Sequence, residues 1–158
     1  IEFTDSHFTS TYDVYKLVAS NVISATDDVK HRIRLSQGGS YDTGTNYDWG
    51  ADYLSVSAIA RAGTTGDDAY YLYYASAGNV GGEAAFFEMT LPNLLSTTSF
   101  KKIFTTIVYI SDGGASYHAD SFLTFRAGSD TAVDAFKIYM SAGNIASGLF
   151  VLYGLSKS

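Results

Sequence analysis

A period of two residues, interrupted by loops rich in Gly, Asp and Ser, limits what this chain can fold into more than any other feature. It is cleanest over residues 29–35, where Val29, His31, Ile33 and Leu35 alternate with Lys30, Arg32 and Arg34. Side chains on a strand switch faces at every step. Residues 29–35 therefore read as a strand with one face in a core and one cationic face toward solvent or a partner. The same period returns over residues 84–91, where Ala85, Phe87, Met89 and Leu91 share a face, and over residues 100–110, FKKIFTTIVYI. Pro92 ends the former, because proline cannot donate to a ladder. The helical expectation is limited to one turn at Leu94 and Leu95, with Asn93 as its cap.

The remaining segments follow the same plan. Residues 12–23 read as a strand with a polar edge, residues 25–28 as a turn and residues 37–50, QGGSYDTGTNYDWG, as a surface loop. Residues 51–61 read as one strand with Leu54, Val56, Ala58 and Ala60 on a face, followed by a turn over residues 62–69. Residues 70–75, YYLYYA, form a short aromatic strand, residues 76–82 a glycine-rich bend and residues 121–126 another strand. Residues 132–155 hold a closing pair of strands around the reversing segment GNIASG. Both faces of the second are apolar, so it is expected to be buried and to close its sheet. Loop lengths vary from about 4 to 14 residues, which suits crossings between sheets better than the short hairpins of a meander. The fold class is all-β, a two-sheet jelly-roll-like β-sandwich of about eight to ten antiparallel strands.

Composition agrees. The 158 residues are enough for one domain with a sizeable core. Because the first residue is Ile1, the chain is expected to be the C-terminal part of a longer one. Thirteen Tyr and ten Phe against a single Pro favour pleated structure. A net charge of −6 argues against non-specific nucleic-acid binding. Cysteine is absent, which removes disulfides and thiolate metal sites. No apolar run approaches the roughly 20 residues of a membrane span, and no signal-peptide pattern is visible. Neither a nucleic-acid partner nor membrane insertion is expected.

The motifs of catalysis are missing. His7, His31 and His118 are scattered, with no HExxH or other zinc spacing, and there is no G-x-S-x-G elbow, phosphate loop or paired-carboxylate motif. The expectation is a non-enzymatic protein without cofactor or metal. His31 sits on the apolar side of its strand and reads as a packed core histidine. The loop aspartates read as turn residues, since no EF-hand spacing is present to hold calcium.

Two groups of residues are candidates for binding. Tyr41, Asp42, Tyr47, Asp48 and Trp49 place aromatics and carboxylates together on glycine hinges. Aromatic faces stack on sugar rings and carboxylates accept hydroxyl hydrogen bonds, so these five are glycan-contact candidates. The competing reading is that Tyr47 and Trp49 fold back onto the sheet or into a subunit contact. The second group is Tyr71, Tyr73, Tyr74, Phe150 and Leu152, in strands with bulk on both faces. A sandwich has one inner face per sheet, so the surplus apolar surface is covered either by the rest of the chain or by a neighbouring subunit. These five are the oligomer-contact candidates, with a homo-oligomer, most simply a trimer, as the expected state.

Three stretches together resemble a known group of proteins. They are IEFT with YDVY near the start, GGSYDTGTNYDW in the middle and GNIASGLFVLYGL at the end. The combination is similar to tailed-bacteriophage virion proteins: tail-fibre, spike and capsid-decorating β-sandwich modules. The resemblance implies a jelly-roll-like, usually trimeric domain on the virion surface, carried at the C-terminal end of a longer protein. Other virion proteins are then the expected partners, and the resemblance carries no catalytic residues; the alternative expectation, from the glycan-contact candidates, is a receptor-binding lectin-like module that contacts host-surface polysaccharide.

Overall fold

The computed structural model describes residues 1–73 and 76–156. The chain is a β-sandwich of two antiparallel sheets. Among the described residues there are twelve strands, more than the eight to ten expected, because three pieces of only two or three residues also pair. The strands are β1 (Glu2–Thr4), β2 (Tyr12–Ser24), β3 (His31–Gln37), β4 (Ser40–Tyr41), β5 (Tyr47–Ser55), β6 (Ile59–Asp67), β7 (Tyr70–Tyr71), β8 (Ala85–Pro92), β9 (Lys101–Ile110), β10 (Ser116–Phe125), β11 (Ala135–Met140) and β12 (Ile145–Ser156).

The five-stranded sheet runs β1-β11-β3, and β4 and β7 share the far edge of β3. The seven-stranded sheet runs β12-β2-β8-β9-β10-β5-β6. Facing side chains from the two sheets fill the space between them. His31, Ile33, Leu35, Phe136 and Ile138 come from one side, and Leu17, Phe87, Met89, Ile103, Ile107 and Phe125 from the other. The alternation of residues 29–35 and 84–91 is thus the alternation of core and outer face. His31 is fully buried beside the Tyr73 hydroxyl, and burial pushes its pKa down to about 3.

Several sequence expectations are corrected. The segment 51–61 is not one strand: Ser55 Oγ accepts from the amides of Ser57 and Ala58 and turns the chain into the β5–β6 hairpin. The expected turn over residues 62–69 is largely strand β6. Its Gly63 lets the backbone pass so close to β5 that a Cβ there would lie 2.6 Å from the Trp49 carbonyl oxygen. Strand β2 lies inside its sheet, flanked by β12 and β8. The chain after Asn93 makes a hydrogen-bonded turn rather than a helix, with Asn93 itself at φ 53°.

The closing pair differs most from its expectation. Strand β11 lies in the five-stranded sheet between β1 and β3, whereas β12 crosses to the other sheet. There β12 pairs with β2 alone and forms an edge, with Leu149 62 % exposed. Its outward residues are as apolar as its inward ones, so its pattern resembles that of a buried strand.

Candidate functional site

The glycan-contact candidates do not form one loop site. Tyr47, Asp48 and Trp49 open strand β5, where alternation sends Tyr47 inward. The Tyr47 ring is fully buried against Phe125, and its hydroxyl accepts from the Leu35 amide (3.0 Å) and donates to the Asp42 carbonyl (3.2 Å). It is a core residue and cannot contact a ligand at the surface. Asp42 is occupied within its own turn, accepting from the Gly44 amide (3.0 Å) and Asn46 Nδ2 (2.9 Å). Asp48 pairs with Arg126 (2.8 Å) and accepts from the Gly66 amide (2.8 Å). Tyr41 stands on the outer face of the five-stranded sheet with Lys137 Nζ 4.2 Å over its ring; burial and the nearby Glu2 carboxylate push its pKa up to about 12.

Trp49 alone of the five lines a substantial cleft, of about 620 Å³. The cleft lies where the β3–β7 edge of one sheet meets the β5–β6 edge of the other. Its aromatic wall is Trp49 with Tyr71, ring centroids 5.3 Å apart and tilted by 38°, and Tyr53 lies beside them. The Trp49 indole is held by a hydrogen bond from Nε1 to Asp67 Oδ2 (3.0 Å), while the other Asp67 oxygen accepts from the Asp68 amide (2.8 Å). Arg32 lies over Tyr71, its guanidinium carbon 4.4 Å from the ring centroid, and Lys30 Nζ lies 5.7 Å from the same centroid. Arg61, Asp28, Thr64, Ser76 and Ser141 also line it. The cationic row of β3 was visible in the sequence. Its meeting with Trp49 was not, because it depends on the β3–β7 and β5–β6 pairings.

The oligomer-contact candidates also separate. Tyr73 is fully buried, its ring centroid 4.1 Å from that of Tyr109 and tilted by 30°, and Phe150 and Leu152 face inward against the core, Phe150 beside Phe87. Tyr73 is thereby corrected as a surface contact, while Phe150 and Leu152 are half-buried on the edge strand β12 and pack against their own chain's core. Tyr71 belongs to the cleft, and Tyr74 lies outside the described residues.

The apolar surface that remains bare is elsewhere, on the outer face of the seven-stranded sheet. Two apolar rows cross it, separated by a polar row. In one row Phe104 pairs with Phe122, 54 % and 51 % exposed, and the Phe122 ring lies over Gly50. In the other, Phe86 pairs with Val108 and Leu54 with Ile59, all exposed. Leu149, Tyr153 and Leu155 extend the face along β12. The charges between the rows are already paired, Lys16 with Glu88 (2.7 Å) and Arg61 with Asp52 (2.8 Å), and Thr106 donates to Asp120 (2.7 Å). The sequence carried this signal in the alternating Phe104, Thr106 and Val108, which share the period of the core residues but not their side.

Among the described residues no three of His, Asp and Glu gather closely enough to hold a metal ion. No protein-family model, no curated protein and no solved structure matches the chain.

Proposed function

We propose that this chain is a non-enzymatic structural protein of a tailed-bacteriophage virion: a homo-oligomeric fibre, spike or capsid-decoration module displayed on the particle surface. The observation that carries the reading is the unpartnered apolar outer face of the seven-stranded sheet. Nine half-exposed large apolar side chains, at somewhat under 100 Å² each, amount to roughly 800 Å², one partner's share of a standard interface. The occupant that suits it is a second copy of the chain. Two ion pairs within the face, Lys16 with Glu88 and Arg61 with Asp52, reduce the repulsion expected between chains of net charge −6. The resemblance of the three sequence stretches to virion β-sandwich modules supplies the setting and favours a trimer. Sedimentation equilibrium tests the assembly: a stable monomer of 17.0 kDa at high micromolar concentration ends the oligomer reading, and a dimer ends the trimer. Mass spectrometry of purified phage particles tests the location.

The cleft favours a second reading, a receptor-binding, lectin-like module contacting cell-surface glycan. Its support is the exposed edge of Trp49 and Tyr71 beside hydroxyl-bearing Ser76, Ser141 and Thr64. The two readings are compatible within one appendage. A glycan array checks the second, and the absence of any saturable binding removes it.

A further inference from the structure

We infer that the cleft takes an anionic saccharide, its sugar ring against Trp49 and its acidic group on the guanidinium of Arg32. The inference rests on the lectin-like reading and adds the chemical class of the ligand.

The chain has four arginines, and three of them are matched by an aspartate: Arg34 by Asp68, Arg61 by Asp52 and Arg126 by Asp48. Arg32 has no carboxylate partner among the described residues: its guanidinium is hydrogen-bonded to the neutral hydroxyl of Tyr71 and lies beside that of Tyr139, and its Nε is buried without a hydrogen bond. The two neighbours on β3 make the contrast plain. Arg32 and Arg34 share one face, yet Asp68 reaches only Arg34. Stacking on Tyr71 fixes the Arg32 plane in advance, so little freedom is lost when a planar acid meets its fork. Lys30, over the same ring, adds a second positive charge.

Two carboxylates, Asp28 and Asp67, also line the cleft. Asp67 is turned to the Trp49 indole and the Asp68 amide, which orients the aromatic wall. Asp28 is exposed at the rim, where it can accept from a sugar hydroxyl. A cleft of about 620 Å³ is within the range of small-molecule sites. An aromatic wall beside an unmatched guanidinium, ringed by hydroxyls, suits a sugar acid better than a neutral sugar. A neutral sugar would leave the guanidinium without a carboxylate.

Trp49 is the chain's single tryptophan, so its emission reports occupancy of this cleft directly. Matched oligosaccharide pairs are titrated at low salt: galacturonate against galactose trisaccharides, glucuronate against glucose trisaccharides, and sialylated against unsialylated lactose. The expected result is a saturable change with at least one acidic member at tenfold or more lower concentration than its neutral partner. Arg32→Gln should abolish that preference. Thr64→Asp, an exposed substitution at the rim, removes a lining hydroxyl and adds a negative charge, so it should weaken acidic binding about tenfold more than neutral binding. It also keeps the test sound if Arg32→Gln fails to fold. Equal affinity for both members of every pair overturns the anionic class and leaves the lectin-like reading standing. Acidic preference that survives both substitutions overturns the placement on Arg32. No response to any probe at millimolar concentration overturns the inference and the lectin-like reading together.

Discussion

Tyr70 and Ser121 share a hydrogen bond of 2.6 Å across the interior of the sandwich. Tyr70 belongs to the five-stranded sheet and Ser121 to the seven-stranded one, and both are buried. Ser121 Oγ donates onward to the Leu72 carbonyl at 3.0 Å, and the Tyr70 hydroxyl lies 3.0 Å from Thr105 Oγ1. Apolar packing alone leaves two sheets free to slide. A directional bond between them fixes their relative position and satisfies every hydroxyl involved.

Removing one member of that network strands the others. Tyr70→Phe should cost about 1–3 kcal/mol, since a buried hydroxyl then lacks a partner. Ser121→Ala should cost a similar amount, and the double variant less than the sum of the two. Urea denaturation of the three variants measures the coupling, and strict additivity would show that the two groups act independently.

His31 gives the stability a pH dependence whose sign follows from burial. Its pKa is about 3 in the folded chain and 6.5 in a solvated one. Between those values the unfolded chain binds the extra proton, so stability is complete above pH 6.5 and falls as the pH drops toward 3. The slope should be about 1 kcal/mol per pH unit, or slightly more, from this one group. Denaturation midpoints between pH 6.5 and 4.5, above the range where most carboxylates titrate, should show it. His31→Gln should flatten the dependence, and an unchanged slope in that variant would assign the effect elsewhere.

Gly63 and Gly81 should respond oppositely to alanine. A Cβ on Gly63 would meet the Trp49 carbonyl at 2.6 Å and Gly50 Cα at 3.1 Å, both backbone atoms that cannot turn aside. Gly63→Ala should therefore cost about 2–3 kcal/mol and shift the Trp49 emission. Gly81 has open space around it, so Gly81→Ala should change stability by less than about 1 kcal/mol. Thermal melts followed by fluorescence separate the two.

Phe104 and Phe87 sit on opposite faces of one sheet and test the proposed assembly. Phe87→Asp places an unpaired charge in the core and should unfold the domain. Phe104→Asp should leave the monomer's circular dichroism and melting temperature nearly intact while abolishing self-association at high micromolar concentration. If Phe104→Asp assembles like the parent, the outer face is not the contact.

What the sequence made legible depended on contrast between the two faces of a strand. Strand β3 was read correctly because Ile33 and Leu35 differ so sharply from Arg32 and Arg34. Strand β12 was misread because Leu149, Tyr153 and Leu155 are as apolar as Phe150 and Leu152, so nothing in the pattern marks which side meets the core. Tyr47 and Trp49 were hidden among Gly, Asp and Asn, which suggested a loop although the alternation had already begun. The cleft was least legible of all. It joins residues from β3, β5, β6 and β7, and only the pairing of non-adjacent strands brings them together.

The place of β11 between β1 and β3 has a consequence for how the molecule comes into being. The first sheet cannot close until Met140 has been synthesised, and β2 gains its outer neighbour only with β12. Joining segments about a hundred residues apart costs loop-closure entropy before any contact repays it, so folding on the scale of milliseconds to seconds is expected. Throughout that interval Phe104 and Phe122 compete with the core residues for apolar company. Burial of the core must therefore outrun self-association through these rings, and a nascent chain is the form most exposed to aggregation.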